Sequence, residues 1–199
     1  MIWGHRKLDS LVERFKGPVL VYGEAGTGKT TLMLEALRRS KGRSVYIGTE
    51  GSAAYQPRVE SLGGLDNVLF VEVDNLKEQT RLVLSLASLS PRVLSMLVVD
   101  SVNSLYRLED DIQKAGMMLG LQMAVLRQLS KAGIVTLATG QVHGEGDEAS
   151  GTWLLEFWAP IIIRLQRAGA EREAEVVKPE EYTFKARFTI TRWGVEWIS

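Results

Sequence analysis

Gly23-Glu24-Ala25-Gly26-Thr27-Gly28-Lys29-Thr30 sets a lysine and a hydroxyl behind a glycine-rich run with the spacing G-x-x-x-x-G-K-[ST]. Such a run wraps backbone N–H groups around phosphate oxygens, while the lysine reaches the β and γ phosphates and the hydroxyl a divalent cation. Glu24, Ala25, Gly26, Thr27, Gly28, Lys29, Thr30 and Thr31 are therefore the expected contacts to a nucleotide, with Thr30 on Mg2+. The cation shell also needs a carboxylate. Asp100 suits that part, because it ends an apolar run over 94–100, at the sheet edge where ligands of open α/β folds bind. Two further side chains follow runs of the same kind. Glu50, in Gly48-Thr49-Glu50-Gly51, is positioned to orient or deprotonate an attacking water; an exposed loop acid fits the same position. Gln141 follows the run 134–139, where an amide can hydrogen-bond the γ-phosphate or the water; an ordinary loop glutamine fits there too.

These groups meet only if strands and helices alternate. Val19-Leu20-Val21-Tyr22, bounded by Pro18 and Gly23, reads as a buried strand leading into the glycine run. A helix over 29–40 then points its positive end at the anion. Further strands are expected at 44–48, 68–73, 94–100 and 134–139. Helices are expected at 57–62, 76–89 and 117–131, the last with Met118, Leu121, Val125 and Leu129 on one face. Apolar strands alternating with helices imply a parallel sheet covered on both faces. After Gly140 the pattern changes. Residues 160–167, 182–191 and 194–198 read as strands that extend the sheet in antiparallel fashion, with Phe184, Ala186, Phe188 and Ile190 on one side. The expected fold class is α/β, a mostly parallel sheet flanked by helices with a C-terminal antiparallel part, as one domain over 1–199.

The composition excludes several function classes. Lys plus Arg is 24 and Asp plus Glu is 24, so bulk charge holds the chain to neither DNA nor membrane. The absence of cysteine excludes disulfides, thiolate metal sites and thiol catalysis, and two histidines are too few for a His-rich metal site. No apolar stretch reaches the roughly 18 residues of a membrane span, and no secretory signal follows the first residues. The expected location is the cytoplasm.

Several pieces together resemble one family, the RecA/RadA recombinase ATPases, and within it the archaeal RadB-type paralogues. Besides the phosphate loop, the resemblance is carried by Lys7-Leu8-Asp9-Ser10-Leu11, Tyr46-Ile47-Gly48-Thr49-Glu50-Gly51, Val98-Val99-Asp100-Ser101, Leu105-Tyr106-Arg107-Leu108-Glu109, Gln141-Val142-His143 and the run 188–196. It implies a RecA-like core that binds ATP and Mg2+, with Glu50 activating water, Gln141 sensing the γ-phosphate and Asp100 serving the cation. It also implies Arg58 over the adenine ring, although its spacing from Glu50 is longer than the family's. Lys178, in a Lys-Pro-Glu stretch, lies near where the family sets a cation that serves a neighbouring subunit.

The departures from the pattern bear on function. The two loops with which such recombinases grip single-stranded DNA here carry Glu109, Asp110 and Asp111, and Glu145, Asp147 and Glu148. Acidic loops repel phosphates, so single- or double-stranded DNA is expected to bind weakly at most. The cluster Arg38, Arg39, Lys41 and Arg43 suits a solvated helix end better than a DNA contact. His5-Arg6-Lys7 is open to either reading. The chain begins almost at the core, so long filaments are not expected. Four of the five tryptophans, 153, 158, 193 and 197, are expected to pack in the antiparallel part. The leading expectation is a weak ATPase that assists the main recombinase or other DNA-repair proteins. A KaiC-like ATP-switched interaction module is the alternative, and a small-molecule kinase is a third that lacks an Arg-rich lid.

Overall fold

The computed structural model describes residues 1–141 and 151–198. Its elements run α1 (Arg6–Arg14), β1 (Val19–Tyr22), α2 (Lys29–Arg39), β2 (Ser44–Gly48), α3 (Gln56–Ser61), β3 (Val68–Glu72), α4 (Leu76–Ser85), β4 (Met96–Asp100), α5 (Ile112–Lys131), β5 (Val135–Gly140), α6 (Thr152–Trp158), β6 (Ile161–Ala168), β7 (Glu171–Lys178), β8 (Phe184–Thr191) and β9 (Gly194–Ile198). The nine strands among the described residues join one sheet in the order β3-β2-β4-β5-β1-β6-β7-β8-β9. The parallel register sets Gly48 beside Asp100 and Tyr22 beside Gly140. The loops that follow β1, β2, β4 and β5 therefore leave from one edge.

Every residue of β2 and β4 is buried, as continuous apolar runs covered on both faces should be. One core layer packs Leu32, Met33, Leu34 and Leu37 of α2 against Val19, Val21, Val98 and Phe188. The other packs Val83, Leu119, Met123 and Leu126 of α4 and α5 against Leu20, Ile47, Leu97 and Val99.

Several expectations need correction. β6 pairs in parallel with β1, so the antiparallel part begins only at β7. β7 itself escaped the sequence pattern because charges occupy most of it; only Ala174 and Val176 are buried. α5 starts at Ile112, where the Asp111 carboxylate caps it by accepting from Lys114 N at 3.0 Å. Of the expected face Val125 and Leu129 are buried and Met118 packs on the core, but Leu121 is 51% exposed, and Ala115, Leu119, Met123 and Leu126 are buried beside them. Helices α1 and α6 were not expected, and α6 carries Trp158 onto the core of α5, beneath Arg127. Trp153 and Trp193 are exposed, whereas Trp197 packs on Phe188 and donates to Trp3 O at 2.8 Å.

The start of the chain is part of the core. Asp9, itself buried, accepts from the amides of Ile2, Trp3 and Gly4, and Trp3 is wholly buried with its indole N–H on Leu32 O at 3.1 Å. Trp3→Ala is expected to cost about 3–5 kcal/mol, read as a lowered urea midpoint. An unchanged midpoint would contradict the packing. Arg38 and Arg39 are not free charges either. The fully buried Glu35 takes Arg38 Nη2 at 2.7 Å and Arg39 Nε at 2.6 Å. Only Lys41 and Arg43 of that cluster stay exposed and without an ion pair among the described residues.

Candidate active site

The phosphate loop leaves β1 through Gly23, where a side chain has no room: a Cβ there would meet Leu165 O at 2.3 Å. Gly28 starts α2 in the left-handed conformation (φ 99°) and offers no side-chain cap. The first amides of α2 therefore keep their donors for an anion. Thr27 is buried, and its hydroxyl donates to Glu24 O at 2.9 Å, fixing the turn. Lys29 Nζ donates to Gly23 O at 2.7 Å and Glu24 O at 2.9 Å. Burial lowers its pKa, and the carboxylates of Asp100 and Glu50 act against that shift.

Asp100 ends β4 with its carboxylate buried. Tyr46 Oη donates to Oδ2 at 2.8 Å, and Thr139 Oγ1 donates to Oδ1. Burial and the Asp100 charge raise the Tyr46 pKa far above the usual phenol range, so it stays a donor. Glu50 and Gln141 come together across the edge: Gln141 Nε2 donates to Glu50 Oε1 at 2.5 Å. Lys29, Thr30, Thr31, Glu50, Asp100 and Gln141 line one cleft of about 260 Å³, together with Ala25, Gly26, Gly28, Ser101 and Ile190.

Glu24 and Thr27 stand within the phosphate loop itself, whereas Arg58 and Lys178 are not among the residues that line the cleft. Arg58 is held by the β8–β9 turn, donating from Nη2 to Gly194 O at 3.3 Å, and burial lowers its pKa. Lys178 Nζ donates to Glu156 O at 2.8 Å. His5, Arg6 and Lys7 line a separate, larger groove of about 740 Å³ beside the ion pairs Lys185–Glu173 and Arg187–Glu171. The acids Glu145, Asp147 and Glu148 and the residues Val142 and His143 lie outside the described residues.

Sequence reasoning missed the residues that hold the catalytic candidates. Asn103, fully buried, clamps the backbone of Gln141: its Oδ1 accepts from Gln141 N at 3.0 Å and its Nδ2 donates to Gln141 O at 3.1 Å. Thr49 Oγ1 accepts from Ser101 N at 3.1 Å and lies 2.7 Å from Ser104 Oγ. The rarity of asparagine was a usable signal. The chain has three, and Asn67 and Asn75 also bond backbone groups. Asn103→Ala is expected to leave ATP affinity within about threefold, to slow turnover about tenfold, and to cost ~1–3 kcal/mol of stability from unpaired buried groups. Turnover and urea denaturation check both parts; equal losses in affinity and turnover would contradict a positioning role.

No protein-family model matches the chain. Curated proteins do match it along most of its length. The DNA repair and recombination protein RadB of Methanocaldococcus jannaschii is 32% identical over 198 residues, 89% of this chain and 92% of that one. Its namesake in Thermococcus onnurineus is 34% identical over 215 residues, covering 97% of this chain and 95% of its own. The chain belongs to the RadB family. A solved crystal structure of the RadB recombinase superposes with a TM-score of 0.78 at 26% identity, each chain covered in full. The likeness thus includes the RecA-like sheet with its antiparallel end. Among the described residues no helix is long and apolar enough to cross a membrane.

Proposed function

We propose that this RadB-family chain is an ATP-binding accessory protein of homologous recombination and DNA repair. It hydrolyses ATP slowly with Mg2+ and modulates the main recombinase or other DNA-processing partners in the cytoplasm, as one ATPase domain over 1–199. The observation that carries the reading is the convergence of Lys29, Thr30, Glu50, Asp100 and Gln141 on one cleft beside the phosphate loop.

The loop amides and Lys29 bind the phosphates. The Asp100 oxygens each accept one hydroxyl donor and keep lone pairs to spare, and among the described residues no three His, Cys, Asp or Glu side chains form a protein-only metal cage. That donor set fits Mg2+: Thr30 and Asp100 would hold the ion, which would neutralise phosphate charge. Glu50 accepts the proton of the attacking water, and the Gln141 amide, held on Glu50 Oε1, orients that water against the γ-phosphate. The only cation among the cleft-lining residues is Lys29. An arginine finger set for the transition state, as a neighbouring subunit can supply, is worth ~10³–10⁵ in rate; none lines this cleft, so the lone chain turns over slowly.

Exposed Glu109 and Asp110 favour a weak DNA grip, and Asp111 is engaged as a helix cap. No observation favours the KaiC-like switch or the kinase. The test is MgATP hydrolysis with and without single-stranded DNA at low salt, alongside strand exchange by the recombinase with this protein added. The reading predicts slow turnover, little changed by DNA, and an altered exchange yield. A chain that leaves the yield unchanged would sink the accessory role.

A further inference from the structure

β6 runs parallel to β1, with Arg164 in register with Tyr22, so β6 ends where the phosphate loop begins. Two arginines leave this end of the strand. Arg164 is neutralised within the sheet: its Nε and Nη2 both donate to Glu175 Oε2, at 3.1 Å and 2.5 Å. Arg167 is exposed and has no carboxylate partner among the described residues. It rests instead on the phosphate loop, with Nη2 at 3.5 Å from Ala25 O. Gly26 makes room for it. A Cβ built on Gly26 would come within 2.3 Å of the same Nη2 and 3.4 Å of Cζ. An uncompensated guanidinium thus lies in the gap left by a glycine, on a loop whose amides are arranged for phosphate. One long contact to a neutral carbonyl leaves most of its five N–H donors unused, and their planar fork matches phosphate oxygens.

We infer that Arg167 is a nucleotide-reading residue supplied in cis. Its guanidinium moves from Ala25 O to the terminal phosphate of a bound nucleoside triphosphate and gives the chain a preference for the triphosphate over the diphosphate. The inference rests on the reading of the cleft as an ATP site. The loop amides and Lys29 serve phosphates of which at least one is present in both nucleotides, whereas Arg167 loses its partner when the terminal phosphate leaves. The site thereby reports which nucleotide it holds.

The test is calorimetric titration of the full chain with MgATP and with MgADP, for the wild type, Arg167→Ala and Arg167→Lys. Arg167→Ala is expected to weaken MgATP about tenfold, the size of one lost charge-assisted bond, and MgADP less than about twofold. Arg167→Lys, which keeps the charge without the fork, recovers part of the preference. Because the side chain is exposed, melting temperatures should agree. Equal losses for both nucleotides would make Arg167 a loop support and overturn the inference, as would unchanged MgATP affinity in a wild type that binds. A wild type that binds neither nucleotide would overturn the ATP reading itself.

Discussion

Lys29→Ala is expected to lower MgATP affinity at least about 100-fold, the loss of more than one charge-assisted hydrogen bond. The ammonium is half-buried and its pKa is pulled down by burial, a cost that the Asp100 and Glu50 carboxylates offset only in part. Phosphate oxygens at the loop would supply the anion that this buried cation lacks. Among the described residues its side-chain hydrogen bonds go to the carbonyls of Gly23 and Glu24, so truncation leaves the core untouched. Isothermal titration with MgATP, together with an unchanged melting temperature, checks the expectation. A variant that binds like the wild type would remove the phosphate loop from the argument.

Glu50→Gln separates chemistry from binding. The amide oxygen can still accept from Gln141 Nε2, so the arrangement at the sheet edge survives while the basicity is lost. General-base catalysis contributes ~10²–10⁴ in rate, and single-turnover hydrolysis should fall by about that factor with MgATP affinity within about threefold. If turnover persists at the wild-type rate, Glu50 is no more than an exposed acid and the water is activated by another group.

The cleft was legible from the chain because Glu50, Asp100 and Gln141 follow apolar strand runs and Lys29 and Thr30 belong to a glycine-rich motif between a strand and a helix. β1, β2 and β4 are unbroken apolar runs, so Gly23, Glu50 and Asp100 fall on the same edge once the sheet is parallel. What was not legible depends on contacts made far along the chain. Tyr46 reads as one more apolar strand residue, yet its hydroxyl orients Asp100 across 54 positions. β7 is hidden by its charges, which pair with β6 and β8: Arg164 with Glu175, Lys185 with Glu173. The parallel pairing of β6 depends on which neighbour it meets, and no local pattern in 160–167 encodes that. Leu121 shares helical spacing with Val125 and Leu129, which are buried, yet it is exposed, because apolar residues cover more of α5 than its neighbours do.

The helix that begins at Lys29 and Thr30 shares its core layer with Phe188 and Val195, and Gly194 lies so close to Glu35 that a Cβ would stand 2.5 Å from its carboxylate. These contacts join the phosphate loop to residues that the ribosome adds on the order of ten seconds later. Until β8 and β9 have emerged, one face of α2 stays bare and the loop lacks its floor. On the proposed reading, a chain still in synthesis would lack nucleotide binding until the last strands close over α2.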